Sequence, residues 1–151
     1  MAKNIRHIGI VVKNLKESLR FYRECLGFDI VKQMEESGPY IEKLLDLPDA
    51  AVTTVKMALS GSGSMIELIH FHLPAVGQRS PRLNDCGPTH FSLTVDNIDT
   101  EYARLREAGV AFISSPKVSP DGYAKVAFCR APEGTLIELV EVLAPRKGAS
   151  S

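Results

Sequence analysis

Residues 65–70 read MIELIH, and residues 136–141 repeat the pattern as LIELVE. Each stretch is a short apolar run with one carboxylate, Glu67 or Glu138, near its centre. Side chains alternate between the two faces of a β-strand, so each carboxylate points away from its apolar neighbours. A carboxylate on an apolar strand is costly to bury unless a positive group meets it. The two strands together suggest one shared cation.

The composition is that of an ordinary globular protein. The 151 residues suffice for one domain with a sizeable core, and 18 basic residues balance 18 acidic ones. The lack of a basic stripe argues against nucleic acid or a membrane as a partner, and no apolar run approaches the ~20 residues of a membrane span. The first residues do not resemble a signal peptide, and three scattered cysteines fit reduced thiols. We therefore expect a cytoplasmic protein.

The predicted elements follow the same order in the two halves of the chain. Alternating β-rich runs indicate strands, and an apolar stripe of helical period follows the first strand of each half. The first half contains a strand at 5–12, a helix that starts at Asn14, and strands at 28–34, 53–59 and 64–71. The second half contains a strand at 89–95, a helix at 97–108, and strands at 111–118, 124–130 and 136–143. Each half is therefore a βαβββ module.

We predict the α+β fold class and a single domain of residues 1–151. Two tandem βαβββ modules, at about 5–72 and 89–143, form a curved mixed sheet around one metal-binding cleft. Residues 73–88 link the modules, and residues 144–151 form a flexible tail. The first module carries extra length at 36–50, which includes a predicted short amphipathic helix. That helix is either a packed surface element or a pocket wall that selects substrate.

Two histidines accompany the two carboxylates. His7 and His90 occupy matching positions on the first strands of the modules, on the face without the bulky apolar residues. A single histidine or glutamate on a strand is usually a hydrogen-bonded structural residue, but the recurrence of both in each module favours a joint site. We predict that His7, Glu67, His90 and Glu138 bind one divalent metal ion. Imidazole and carboxylate ligands fit zinc, nickel, cobalt, manganese or ferrous iron.

Other chemically capable side chains give weaker signals. His70 and His72 follow Glu67 on the same strand but share the opposite face, so we expect neither to bind the metal. Cys86 and Cys129 have no base arranged beside them in the sequence, so we do not expect a nucleophilic role.

Five phrases of the sequence together resemble a known family. They are residues 7–12 (HIGIVV), 18–28 (SLRFYRECLGF), 66–68 (IEL), 90–95 (HFSLTV) and 132–139 (PEGTLIEL). With them the chain resembles the vicinal oxygen chelate superfamily, which holds glyoxalase I, methylmalonyl-CoA epimerase, extradiol dioxygenases and the bleomycin and fosfomycin resistance proteins. The resemblance covers about residues 5–143. It implies the same four metal ligands, as in glyoxalase I and the epimerase, and a homodimer.

The resemblance also implies a class of reaction. Its metal holds vicinal oxygens of a substrate, and Glu138 or Glu67 serves as the base that moves a proton. We therefore expect a metal-dependent isomerase, epimerase or glyoxalase-like lyase that acts next to a carbonyl of a small-molecule or thioester substrate.

Two alternatives stay open. The first is an extradiol-type ring-cleaving dioxygenase with Fe(II) held by His7, His90 and Glu138, in which Glu67 is a surplus ligand. The second is a small-molecule-binding protein of the antibiotic resistance type, without catalysis; the complete set of four ligands argues against it. Glyoxalase I itself binds the glutathione carboxylate through an Arg and an Asn, and the nearest positions here are Val11 and Phe71. Neither side chain makes such contacts, so the substrate stays open.

Overall fold

The computed structural model describes residue 1, residues 3–77, residues 82 and 84, and residues 86–143. The chain divides into two compact units, Met1–Arg79 and Ser80–Ser151, and the division falls inside the predicted linker 73–88. The predicted tail at 144–151 lies outside the described residues. Within the described ranges, no helix is long and apolar enough to cross a membrane.

The first unit is built on a four-stranded mixed sheet. Its strands are β1 (His7–Val11), β2 (Asp29–Ser37), β3 (Ala51–Ala58) and β4 (Met65–Leu73). They lie in the order β1-β4-β3-β2, with β1 parallel to β4 and the other neighbours antiparallel. Its helices are α1 (Leu15–Arg20), which continues into a π-helical stretch at Phe21–Cys25, and α2 (Pro39–Leu45).

The second unit repeats this topology on a five-stranded sheet. It contains β5 (His90–Thr94), α3 (Ile98–Glu107), β6 (Ala111–Phe112), β7 (Lys117–Val118), β8 (Ala124–Arg130) and β9 (Leu136–Val142). The strand order is β5-β9-β8-β6, and β7 also pairs with β8. In each unit the first strand therefore lies parallel to the last, and the last forms a hairpin with the strand before it. The predicted α+β class and the repeated module are confirmed.

Local sequence signals explain where the main helices begin. Asn14 accepts a hydrogen bond from the Glu17 backbone N–H at 3.1 Å, and Asn97 accepts one from the Thr100 N–H at 2.9 Å. An asparagine in this position satisfies one of the free N–H groups in the first turn of a helix. Each cap starts the helix that follows the first strand of its module. The modules thus share their capping chemistry as well as their strand order.

The apolar neighbours of the two carboxylates form the centre of each core. Ile66, Leu68, Ile137 and Leu139 are all at most 3% exposed. They lie on the strand face opposite to Glu67 and Glu138, because side chains alternate along a strand. Each of these buried side chains stabilises the folded state by about 1.5–3 kcal/mol relative to leaving it exposed. The alternation that places them in the core therefore also fixes the face on which each carboxylate lies.

The predicted strand at 111–118 is wrong in its middle. The structure has two short strands there, β6 and β7, separated by bends at residues 113–115. The Ile113 N–H still donates to the Phe128 carbonyl oxygen at 2.9 Å. Pro116 has no N–H to donate to a ladder, so it cannot extend the pairing on the other side of the bends. The backbone resumes pairing with β8 at Lys117.

The insertion in the first module forms the predicted short helix, α2. Ile41 of this helix is 6% exposed and packs in a cluster with Ala50 and Val52. The partly buried side chains against this cluster are Leu47, Ile69 and Phe71. Ile69 and Phe71 alternate in phase with Glu67 along β4, so α2 packs on the sheet face that carries Glu67.

Candidate metal centre

The first unit brings His7 and Glu67 together. The His7 Nε2 atom lies 3.0 Å from Glu67 Oε2, and the Glu67 side chain is only 13% exposed. The other carboxylate oxygen, Oε1, lies 3.5 Å from the Lys56 ammonium. Glu67 is thus a mostly buried carboxylate with one imidazole and one cation beside it.

The strand register explains why His7 and Glu67 meet. Gly9, not His7, lies directly opposite Glu67 in the β1–β4 ladder. His7 is two residues earlier and therefore on the same face. Gly9 has no side chain, and a Cβ atom there would have only the Ile69 side chain within 4 Å, at 3.3 Å. In the second unit Ser92, another small residue, lies opposite Glu138.

The second unit brings His90 and Glu138 together more loosely. The His90 Nε2 atom lies 3.9 Å from Glu138 Oε2. The other ring nitrogen, Nδ1, lies 2.8 Å from the Thr89 hydroxyl, and the Phe128 ring packs edge-on against the imidazole at 5.1 Å between centroids. Thr89 and Phe128 therefore hold the imidazole in place, while the carboxylate has no cation beside it among the described residues.

The donor atoms of the first pair fit a divalent ion. A nitrogen and an oxygen that each lie about 2.1 Å from a metal, at right angles, are roughly 3.0 Å apart. The separation of His7 Nε2 and Glu67 Oε2 matches this value. The 3.9 Å separation in the second pair is larger. There the Glu138 carboxylate has to approach by roughly 1 Å or less to reach the spacing of metal ligands.

One buried atom in the first pair has no hydrogen-bond partner within the described part of the chain. It is His7 Nδ1. Metal-binding histidines usually donate the second ring N–H to a neighbouring group, as His90 can through Thr89. His7 Nδ1 is unpaired whether Nε2 hydrogen-bonds to Glu67 or binds a metal. The fit of His7 to a metal therefore rests on the donor spacing and not on this atom.

Each unit supplies two donors of the predicted set. Within the described residues of either unit, no group of three or more His, Cys, Asp or Glu side chains is arranged to hold a metal. The structure therefore pairs His7 with Glu67 and His90 with Glu138, one imidazole and one carboxylate each. That the two pairs share a single ion stays a prediction.

His70 and His72 have other partners, as their strand face requires. His70 Nδ1 lies 3.1 Å from the Val12 carbonyl oxygen, and His72 Nε2 lies 2.7 Å from the Thr53 hydroxyl. The Thr53 hydroxyl also donates to the Glu35 carboxylate. These contacts lie on the face of the first sheet opposite to Glu67, so they do not involve the His7–Glu67 pair.

Cys129 is not suited to nucleophilic chemistry. The residue is completely buried in β8, and burial raises the pKa of its thiol to about 11. The thiol is therefore protonated at neutral pH, whereas a cysteine nucleophile acts as the thiolate. Cys86 is an exposed thiol, and Cys25 is a partly exposed one.

Three neighbours of the two pairs were not predicted from the sequence. They are Lys56, Thr89 and Phe128. Lys56 and Phe128 occupy equivalent places, each directly opposite the carboxylate of its own module in the hairpin. The spacing of the first hairpin turn is the signal that leads to Lys56. Thr89 is marked only by its position next to His90.

Comparison with known proteins gives consistent matches along the chain. A family profile described as Glyoxalase/Bleomycin resistance protein/Dioxygenase superfamily matches residues 4–139. Uncharacterized protein YwbC of Bacillus subtilis (strain 168) is 28% identical over 143 residues, which are 93% of this chain and 99% of that protein. Lactoylglutathione lyase of Schizosaccharomyces pombe is 28% identical over 145 residues, 90% of this chain and 46% of that protein. The crystal structure of a glyoxalase family protein from Bacillus cereus superposes with a TM-score of 0.84 at 26% identity and covers 95% of this chain and 99% of its own.

Proposed function

Because the chain belongs to the Glyoxalase/Bleomycin resistance protein/Dioxygenase superfamily, we propose that it is a metal-dependent isomerase, epimerase or glyoxalase-like lyase. It transfers a proton next to a carbonyl of a small-molecule or thioester substrate. The observation that carries this proposal is the His–Glu pair that is built twice, at equivalent positions of two modules.

The proposed ligands of one divalent ion are His7, Glu67, His90 and Glu138. Two nitrogen and two oxygen donors would suit zinc, nickel, cobalt, manganese or ferrous iron, and such an ion would still have room for substrate oxygens. The bound ion supplies Lewis-acid stabilisation of the negative charge that develops on a carbonyl oxygen when the neighbouring proton leaves.

We assign the proton transfer to Glu138. Glu67 is restrained on both carboxylate oxygens, by His7 and by Lys56. Glu138 lies 3.9 Å from His90 and has the Phe128 ring opposite it in place of a cation. A base has to reach the carbon-bound proton at hydrogen-bonding distance, so the less restrained carboxylate suits the task better. Glu67 then serves as a fixed ligand, and it is the second candidate for the base.

Helix α2 supports a substrate-binding role on the first unit. It packs on the sheet face that carries Glu67 and leaves Tyr40 and Leu44 exposed, at 73% and 63%. These residues are four apart and therefore lie on one side of the helix. We propose that this side forms an apolar wall for the substrate.

Three related functions have less support. A ferrous dioxygenase would use His7, His90 and Glu138 as ligands. It would have no role for Glu67, although Glu67 makes the shorter of the two His–Glu contacts. The name of the Schizosaccharomyces pombe relative implies glutathione chemistry for that protein. Such chemistry requires polar partners for the glutathione carboxylate. Val11 offers only an apolar side chain, and Phe71 packs in the α2 cluster. A protein that only binds an antibiotic has no use for four metal ligands.

Solvent exchange tests the proposal even while the product is unidentified. The metal-loaded protein is incubated in D₂O with panels of 2-oxo compounds and acyl thioesters, and NMR follows the proton next to the carbonyl. We expect at least one substrate class to exchange this proton in the presence of metal and not after chelation. Metal-loaded protein that exchanges nothing across both panels, with ring-cleavage of catechols instead, would favour the dioxygenase.

We predict a homodimer. The first sheet has β1 and β2 at its edges, and open strand edges are often closed by a second copy of the chain. Ile5 and Val11 are 67% and 48% exposed near one of these edges, which adds apolar surface for such a contact. Light scattering at micromolar concentration is expected to return twice the 16.5 kDa mass of one chain. A monomer under these conditions would contradict the prediction.

We also propose a cytoplasmic location. Three thiols outside any disulfide, with Cys86 exposed, suit a reducing compartment.

A further inference from the structure

We propose that Lys56, with Lys32 beside it, binds a substrate carboxylate next to the metal and thereby selects 2-oxo acids and related compounds. The inference rests on the proposed function and deepens it, because it names the chemical class of the substrate. A row of residues across the first sheet, which the strand register defines, is the observation behind it.

The row contains Gly9, Glu67, Lys56 and Lys32. These four residues lie directly opposite one another on β1, β4, β3 and β2, in that order. Residues in register share one face of a sheet, so the row lies on the face of the His7–Glu67 pair. Its charges are one negative and two positive, which leaves one positive charge without a counterpart in the row.

The two lysines face each other at a cost. Like charges directly opposite each other on neighbouring strands destabilise a sheet. Lys32 is exposed and makes no ion pair within the described ranges, so no carboxylate of the described chain offsets it. An anion that binds over the row removes this repulsion. An anion over the row would therefore have two cations available to it.

The second module shows that this charge is not a general property of the fold. The equivalent row there contains Ser92, Glu138 and Phe128. Phe128 takes the place of Lys56 and packs against the His90 ring. One module thus presents cations beside its carboxylate and the other presents an aromatic ring.

The position of the Lys56 ammonium limits the substrate. Its Nζ atom lies 3.5 Å from Glu67 Oε1 and its side chain is 25% exposed. If Glu67 bound a metal ion, its negative charge would be neutralised there, and the Lys56 ammonium would be able to donate to another oxygen. An oxygen at hydrogen-bonding distance from Nζ is then about 6 Å or less from the Glu67 carboxylate. In a 2-oxo acid the carboxylate is bonded directly to the reacting carbonyl carbon. Its oxygens can therefore lie within this distance of the Glu67 carboxylate while they accept from the Lys56 ammonium.

Calorimetry with oxalate tests the proposal. Oxalate offers two vicinal oxygens to a metal and leaves two anionic oxygens pointing outward, whereas acetohydroxamate has the same bite and no outward oxygens. Both are titrated into Co²⁺-loaded wild type and Lys56→Met. We expect Lys56→Met to lose about tenfold or more in oxalate affinity, the effect of one charge-assisted hydrogen bond, with acetohydroxamate affinity within about twofold. Lys56→Arg is expected to recover most of the oxalate affinity.

Lys125→Met is the matched control. Lys125 also pairs with a carboxylate, that of Asp99, and its side chain is 23% exposed, but it lies in the second unit on the face opposite to Glu138. This variant should bind oxalate like the wild type. Oxalate affinity in Lys56→Met equal to that of the wild type would overturn the proposal.

The Co²⁺ titration that precedes the oxalate experiment distinguishes failure of the inference from failure of the proposed function. Wild type that binds no Co²⁺ would refute the proposed function and the inference with it. Lys56→Met is expected to bind Co²⁺ at least as tightly as the wild type, because a like charge has been removed. A weaker Co²⁺ affinity in Lys56→Met would show that Lys56 only supports Glu67, and it would overturn the assignment to substrate.

Discussion

Glu138→Gln is expected to abolish turnover while the fold survives. Glutamine keeps the shape of the side chain and removes both the negative charge and the proton-accepting carboxylate. Loss of a metal ligand or of its supporting group commonly costs 10–100-fold in affinity or activity, and loss of the base deepens this. Solvent exchange of a substrate identified in the D₂O screen is the measurement, with circular dichroism to confirm the fold.

Glu141→Gln provides the control on the same strand. Glu141 is three residues further on and therefore lies on the other face of β9, where its carboxylate accepts a hydrogen bond from the Ile98 N–H at 2.8 Å. The amide oxygen of glutamine still accepts this bond, so the control should keep its turnover. Full activity in Glu138→Gln would defeat both the ligand assignment and the assignment of the base.

His7→Ala is expected to lower the affinity for a divalent ion by about 10–100-fold, because it removes one imidazole from the four ligands. The effect is also visible as stability. A ligand that binds only the folded state stabilises it by about 2.7 kcal/mol at one hundred times its Kd. Metal should therefore raise the melting temperature of the wild type by several degrees and that of His7→Ala much less.

His72→Ala is the companion variant. His72 belongs to the same unit and contacts Thr53 on the opposite face of the sheet, so its removal should leave the metal-induced shift in place. Equal shifts in the wild type and His7→Ala would show that the imidazole is only a hydrogen-bond partner of Glu67.

Hairpin geometry shows how far sequence reasoning reaches in this protein. The sequence predicts the first turn at residues 60–63, and Lys56 lies four residues before it while Glu67 lies four residues after it. Equal spacing from a turn predicts that two residues face each other, and the structure pairs them. The position of Lys56 opposite Glu67 can therefore be predicted from the sequence. The position of Lys32 opposite Lys56 cannot, because the pairing of β2 with β3 is irregular.

The second hairpin shows the limit. The sequence predicts the turn at residues 131–134, but the loop runs to Thr135, whose carbonyl accepts from the Ala131 N–H at 2.9 Å. Phe128 lies three residues before Ala131, and Glu138 lies three residues after Thr135, so they face each other. A loop shorter by one residue would have placed Phe128 on the wrong face, because one step of register exchanges the two faces. Loop length depends on backbone hydrogen bonds that composition alone does not reveal.

Distances within the site are also beyond the sequence. Strand alternation predicts that each histidine and its glutamate share a face, but it does not distinguish 3.0 Å in the first pair from 3.9 Å in the second. The neighbours that differ between the two pairs, Lys56 and Phe128, belong to other strands. The choice of Glu138 as the less restrained carboxylate therefore depends on the structure.

Metal stoichiometry tests the central claim most directly. Purified protein is stripped of metal, titrated with Co²⁺, and compared with His7→Ala, Glu67→Gln, His90→Ala and Glu138→Gln under the same conditions. We expect one ion per chain in the wild type and a weaker affinity in every one of the four variants. Two of these variants change the first module, and the other two change the second. Binding that is unaffected by the variants of one module, or two ions per chain, would contradict a single ion held by both His–Glu pairs.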